Sequence, residues 1–163
     1  MPIRLTHTEL IDLCETRYFG NVARERLEAV LECFTAETQV AIRHGDNPER
    51  HFYGRPQGDA LHISEFWKHL NANFESRFEN FEHVVDTAQQ RIASTFLVTL
   101  APRPGSPYVN RGTLQLHNCN FFWVEDGRIA RMLVYYSNPD TGGDPVGKPS
   151  GYPPRHAEFR RPP

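Results

Sequence analysis

From Thr6 onward the apolar positions fall three and four residues apart. Leu10, Leu13, Cys14, Arg17 and Tyr18 occupy i, i+3, i+4, i+7 and i+8, one helical stripe. Thr6 and Glu9 stand at the S/T-x-x-E spacing of a capping box, which opens that helix. Leu27, Val30, Leu31 and Phe34 repeat the stripe. Gly20-Asn21 lies between the two runs and predicts a bend joining two short helices. Gln39 to Arg43 is short, β-branched and alternating, and predicts a strand. Gly45-Asp46-Asn47-Pro48 is turn chemistry, and His51 to Arg55 suits a return strand. Asp59 or His62 leads into a third helix, on which Ile63, Phe66, Trp67, Leu70, Phe74 and Phe78 share one face.

Beyond this helix the period changes to two. Phe81–Ala88, Ile92–Leu100, Thr113–Glu125 and Arg128–Ser137 predict successive long strands. Pro102, Pro104 and Pro107 interrupt them with a loop, since proline cannot donate to a ladder. Helices followed by antiparallel strands predict an α+β fold. From Asn138 the chain carries seven prolines and four glycines, so the expected division is a domain over 1–137 and an extended tail over 138–163.

The hairpin decides which polar residues meet a ligand. Asp126-Gly127 favours a two-residue turn with positive φ at both positions. Pairing Val124 with Ile129 then sorts the strands into two faces. One holds Gln115, His117, Cys119, Phe121 and Trp123, opposite Ala130, Met132, Val134 and Tyr136. It is apolar near the turn and polar only at Gln115, His117 and Tyr136, as a pocket wall would be. The other mixes aliphatic residues with Asn118, Asn120, Arg131 and Tyr135, and suits a subunit interface. A β-bulge between Asn118 and Phe121 would invert the deeper part of this assignment.

Composition narrows the classes. A net charge of −2 gives no basic footprint for nucleic acid or for an anionic membrane surface. No run approaches the ~20 apolar residues of a membrane span, and the N-terminus lacks the apolar core of a signal peptide. Cys14, Cys33 and Cys119 are odd in number and widely spaced, which predicts reduced thiols and a cytoplasmic protein. Eight histidines raise the question of a metal, but there is no H-x-H, no H-E-x-x-H and no close cysteine pair. His62 and His69 stand seven apart on the polar side of a helix. No glycine-rich phosphate loop and no G-x-S-x-G elbow occur. No metal and no cofactor are expected.

Three stretches carry a family resemblance: the helix pair ending in Leu31-Glu32-Cys33-Phe34, Tyr53-Gly54-Arg55 before the third helix, and Val124-Glu125-Asp126-Gly127-Arg128-Ile129 with Tyr135-Tyr136 and Asn138-Pro139. With the element order, they resemble the NTF2-like superfamily over about residues 10–137. Within it the chain is most similar to the SnoaL-like group, nearest to phenazine-biosynthesis A/B-type and ketosteroid-isomerase-like proteins. The resemblance implies a cystatin-like cone: a curved antiparallel sheet wrapped around three helices, enclosing a pocket, with dimers formed through the outer sheet face.

Set against that family, Tyr18 falls where the helix tyrosine of a ketosteroid isomerase would stand. Ile42 occupies the position of its base, and Phe121, or Asn120 if a bulge intervenes, that of its acid. Gln115 replaces the glutamate of the phenazine proteins, Phe66 falls near their histidine, and Val134 takes the place of an epoxide hydrolase aspartate. The remaining candidate base is His117, with Tyr18 and His44 as further catalytic candidates. Gln115, Trp67, Phe121, Trp123, Met132 and Tyr136 are the expected ligand-binding residues. The expected partner is a small hydrophobic, carbonyl-bearing molecule, turned over by an isomerase, lyase or cyclase with a histidine base. The alternative is a ligand-binding or scaffold dimer without catalysis. The proline-rich tail, with Arg155, Arg160 and Arg161, would instead suit docking on a larger enzyme.

Overall fold

The capping box forms at Thr6: its N–H donates to the Glu9 carboxylate at 2.7 Å, and the Glu9 N–H returns to the Thr6 hydroxyl at 3.4 Å. In the computed structural model, which describes residues 1–44 and 48–136, helix α1 (His7–Asp12) runs without a break into a π-helical segment, Leu13–Phe19, and then into α2 (Gly20–Ala23). The bend expected at Gly20-Asn21 is absent. Gly20 keeps helical φ and ψ, and its N–H donates to the Glu15 carbonyl five residues back. This wider turn lets neighbouring positions face the same way, so Leu13, Cys14, Tyr18 and Phe19 are all buried. The chain reverses instead at Arg24–Arg26, where Glu25 takes φ +58°, and enters α3 (Leu27–Glu32).

Phe34 belongs not to that helix but to strand β1 (Phe34–His44), followed by β2 (Arg50–Tyr53) and β3 (Leu61–His62). At Gly54 an added Cβ would sit 2.4 Å from the Ala36 carbonyl oxygen, so only glycine permits the approach of this turn to β1. His62 caps helix α4 (Ile63–Asn73), its Nδ1 accepting from the Ser64 N–H at 3.1 Å. The helix ends four residues before Phe78. Strand β4 (Phe74–Asp86) takes over, because Phe74 and Phe78 are four apart and satisfy a period of two as well as one of 3.6. Strands β5 (Arg91–Pro102), β6 (Leu114–Glu125) and β7 (Arg128–Tyr136) follow and complete the described elements. The expected turn over Gly45–Asn47 and the tail from Asn138 lie outside the described residues.

The seven strands form one curved, open sheet in the order β3-β2-β1-β7-β6-β5-β4, with the helices packed on one side. Neighbours are antiparallel except for β1 with β7 and β2 with β3. Curvature is concentrated at three irregularities. On β4, Asn80 and Phe81 oppose Phe96 alone; on β1, residues 35–38 span the step from Ile129 to Arg131; on β7, Ala130 is the extra residue. The N-terminus is tied to the turns of the sheet: the Ile3 N–H donates to the Asp126 carboxylate, and Leu5 exchanges bonds with the Gln90 side chain.

The bulge at Ala130 corrects the hairpin. Val124 pairs with Ile129 as the turn predicts, and Asp126 and Gly127 both take positive φ. The next pair is Trp123 with Arg131, so from there outward the two strands are one residue out of the expected phase. On β7, Met132, Val134 and Tyr136 point inward as expected. On β6 the inward row is Leu116, Asn118, Asn120, Phe122 and Val124, and the row of Gln115, His117, Cys119, Phe121 and Trp123 turns outward. Asn118 and Asn120 therefore belong to the interior and not to the outer face.

Candidate functional site

A cavity of about 30 Å³ lies between the π-helical segment, α4 and the inner face of the sheet. Tyr18 and Phe19 enter it side by side from the widened turn, and Phe66 and Trp67 enter from α4. The rings pack edge-on and tilted, Tyr18 at 6.0 Å from Trp67 and Phe19 at 4.6 Å from Phe96. Opposite them, the sheet contributes Asn118, Asn120 and Tyr136 among aliphatic residues. Asn118 and Asn120 are 5% and 2% exposed, and among the described residues the Oδ1 atom of each has no hydrogen-bond partner. The Asn120 amide nitrogen makes only a weak contact to the Met132 sulfur at 3.7 Å.

The chemistry open to this lining is limited. Among the described residues it contains no carboxylate, imidazole, thiol or amine. Its two phenols are held protonated. Burial pushes Tyr18 far above its ordinary range against a smaller opposing pull from the neighbouring Trp67 indole, and it pushes Tyr136 up to about 12, with Arg50 drawing it slightly back. The wall can donate and accept hydrogen bonds, but near neutral pH it holds no group that exchanges a proton.

Of the residues singled out in the sequence, Tyr18, Trp67 and Tyr136 line the cavity. Met132 is fully buried in the core behind it. Gln115, His117, Phe121 and Trp123 stand on the opposite side of the sheet, because the Ala130 bulge and the burial of the asparagine row put their faces outward. His117 lines a groove of about 470 Å³ with Cys119 and Tyr135, a groove that also reaches Phe96, Asn118 and Tyr136 of the cavity wall, and Trp123 lies 4.4 Å beneath the Arg131 guanidinium. His44 ends β1, and its side chain lies outside the described residues. Asn118 and Asn120 were missed as cavity residues. A signal for them exists in the sequence, since they alternate in phase with Leu116, Phe122 and Val124.

A second cluster lies deeper. The Ser94 hydroxyl is 2.8 Å from Nδ1 of His83, whose Nε2 is 2.6 Å from the Glu15 carboxylate. The order of groups is that of a nucleophile, base and orienting acid. Ser94, however, is 0% exposed, so no substrate reaches it. What the cluster does is tie the π-helical segment to β4 and β5. Among the described residues, no three His, Cys, Asp or Glu side chains are grouped closely enough to hold a metal ion, and no helix is long and apolar enough to cross a membrane.

Comparison with known proteins agrees with this architecture. The family model described as SnoaL-like domain matches residues 16–132. No curated protein sequence matches significantly. Among solved structures, a protein of unknown function with a cystatin-like fold from Methylobium petroleophilum PM1 superposes with a TM-score of 0.63 at 14% identity, over 90% of this chain and 86% of its own. PrhC from Penicillium brasilianum NBRC 6234 gives 0.63 at 16% identity, over 81% and 82%. An LEH-like epoxide hydrolase of M. tuberculosis gives 0.55 at 17% identity, over 79% and 83%. Likenesses at such identities establish the fold alone.

Proposed function

This chain belongs to the SnoaL-like domain family, and we propose that within that family it is a binding protein for a small aromatic or otherwise apolar molecule, without acid–base chemistry of its own. The observation that carries this reading is the makeup of the lining among the described residues: aromatic rings, two amides and two protonated phenols, with no carboxylate, imidazole, thiol or amine. A catalytic reading with His117 as base would need that imidazole on the cavity side of the sheet, and it stands on the other.

Size sets a condition. Cavities that hold benzene measure on the order of 150 Å³, several times the 30 Å³ present here. Binding therefore includes a widening of the cavity. The end of α4 offers a place for it. Arg103 bonds to the Asn71 carbonyl at 2.7 Å and pairs with Glu25 beyond α2, and these groups adjoin the lining residues Leu70, Leu100 and Val22. A partly exposed ion pair holds such a joint weakly.

Two tryptophans make the test direct. In a Trp123→Phe variant, Trp67 in the cavity wall is the only fluorescent indole. Titration with small aromatic probes is expected to change its emission saturably and to raise the melting temperature. If no probe does either, the binding reading fails, and a scaffold with a filled core takes its place.

The outer face supports a homodimer as the quaternary state. Phe121 and Tyr135 are 37% and 36% exposed there and meet at 6.0 Å between ring centroids, beside the Arg131–Trp123 stack. Native mass spectrometry is expected to give twice the chain mass, and a Phe121→Asp variant to give the monomer. A wild-type monomer would remove this assignment. Three unpaired thiols, Cys14, Cys33 and Cys119, fit a reducing compartment, and we place the protein in the cytoplasm.

A further inference from the structure

The inner face of β6 carries a contradiction. Buried polar groups are ordinarily satisfied, as at the nearly buried Gln90, which accepts from the Leu5 N–H and donates to the Leu5 and Thr87 carbonyls; among the described residues Thr38, Asn71 and Thr99 each leave one buried oxygen unpaired, and Trp67 of the cavity wall leaves its indole N–H unpaired. Asn118 and Asn120, equally buried and two residues apart on one strand face, leave both carbonyl oxygens unpaired at the cavity wall. Their cross-strand neighbours do not answer them. Asn118 stands between Phe96 and Tyr136, and Asn120 between Ser94, which is bonded to His83, and Val134.

We propose that the molecule taken into this cavity carries a hydrogen-bond donor, a hydroxyl or an N–H, on an aromatic or apolar body, and that Asn118 and Asn120 receive that donor. The inference rests on the binding function argued above and names the polar end of the ligand. It departs from the carbonyl-bearing molecule expected from the sequence: a carbonyl answers the unpaired Trp67 indole N–H of the same wall but neither asparagine oxygen, whereas a hydroxyl can donate to an asparagine and accept from the indole. Adjacent inward positions on a strand lie roughly 7 Å apart along the chain, so a donor group with two hydrogens can serve both, and a single hydroxyl serves one of them. The surrounding rings of Tyr18, Phe19, Trp67 and Phe96 would enclose the body of the molecule. A water molecule is the smallest donor of the same chemistry, and the experiment separates the two.

Phenol, toluene and benzaldehyde are matched in size and differ in one group. Phenol is harder to remove from water than toluene, so an apolar cavity without a waiting acceptor ranks toluene first. Isothermal titration of the full chain with the three probes is expected to rank phenol at least tenfold above toluene, and above benzaldehyde. In an Asn118→Leu/Asn120→Leu variant the order of phenol and toluene should reverse. The wild-type ranking stands as a test even if that variant does not fold. Toluene binding as tightly as phenol would mean that water serves the two oxygens, and would overturn the proposal while leaving the binding function intact. Benzaldehyde ranked first would overturn it in favour of a carbonyl ligand. No binding of any probe would overturn both.

Discussion

Phe121 and Phe122 are adjacent, identical in chemistry and opposite in fate, so truncating each in turn tests the register of the whole hairpin. Phe122 is 1% exposed and packs against Tyr18 at 5.8 Å and Phe19 at 6.2 Å between ring centroids. Phe122→Ala removes a full ring from this junction of sheet and helix. The cost expected for such a truncation is about 3–5 kcal/mol. For a domain of this size that corresponds to a fall in melting temperature of roughly 10–15 °C. Phe121→Ala removes a ring from the outer face, and its expected effect on the fold is below about 1 kcal/mol. If the outer face joins two copies, the Phe121→Ala loss will grow as the protein is concentrated, whereas the Phe122→Ala loss will not. The assay is urea unfolding at two protein concentrations, with the slope m compared to confirm that the same surface is exposed. Were Phe121→Ala the more damaging variant at low concentration, the Ala130 bulge and the inward asparagine row would both be wrong. The cavity built on them would fall with that result.

Other expectations follow from individual contacts. Gly54→Ala drives a Cβ to 2.4 Å from the Ala36 carbonyl; a loss of at least ~1–3 kcal/mol is expected, as for an overpacked site, and an unchanged denaturation midpoint would contradict that close approach. Asn120→Leu keeps the volume and removes an unpaired acceptor, so a gain of about 1 kcal/mol is expected in the unliganded protein; a loss of that size would mean that the amide is satisfied. Stability should decline in alkali. Burial raises Cys33 from 9.0 to about 11 and Tyr136 from 10.0 to about 12 in the folded chain. The unfolded chain thus releases these protons first, and the stabilisation present below pH 9 drains away between pH 9 and 12. A Tyr136→Phe variant should show a shallower decline above pH 10 in urea midpoints, and an identical slope would refute the phenol's share.

The helix stripe from Leu10 to Tyr18, the Thr6 capping box, the Asp126-Gly127 turn and the change of period from 3.6 to two are local properties, written in spacings of a few residues. They were enough for the α+β class and for placing Tyr18, Trp67 and Tyr136. The end of α4 was ambiguous because Phe74 and Phe78 satisfy both periods, and only pairing of Phe74 with Pro102 across the sheet resolves it. The cavity face was only faintly legible, in the phase that Asn118 and Asn120 share with Leu116, Phe122 and Val124. Both rows of β6 carry aromatic and polar residues, so that content alone does not decide between them. One extra residue at Ala130, placed where the β1–β7 register also shifts, rotates the β6 row by half a period relative to β7. A bulge arises from long-range curvature and has no local code, and it moved His117 to the outer side of the sheet and brought Asn118 and Asn120 to the cavity.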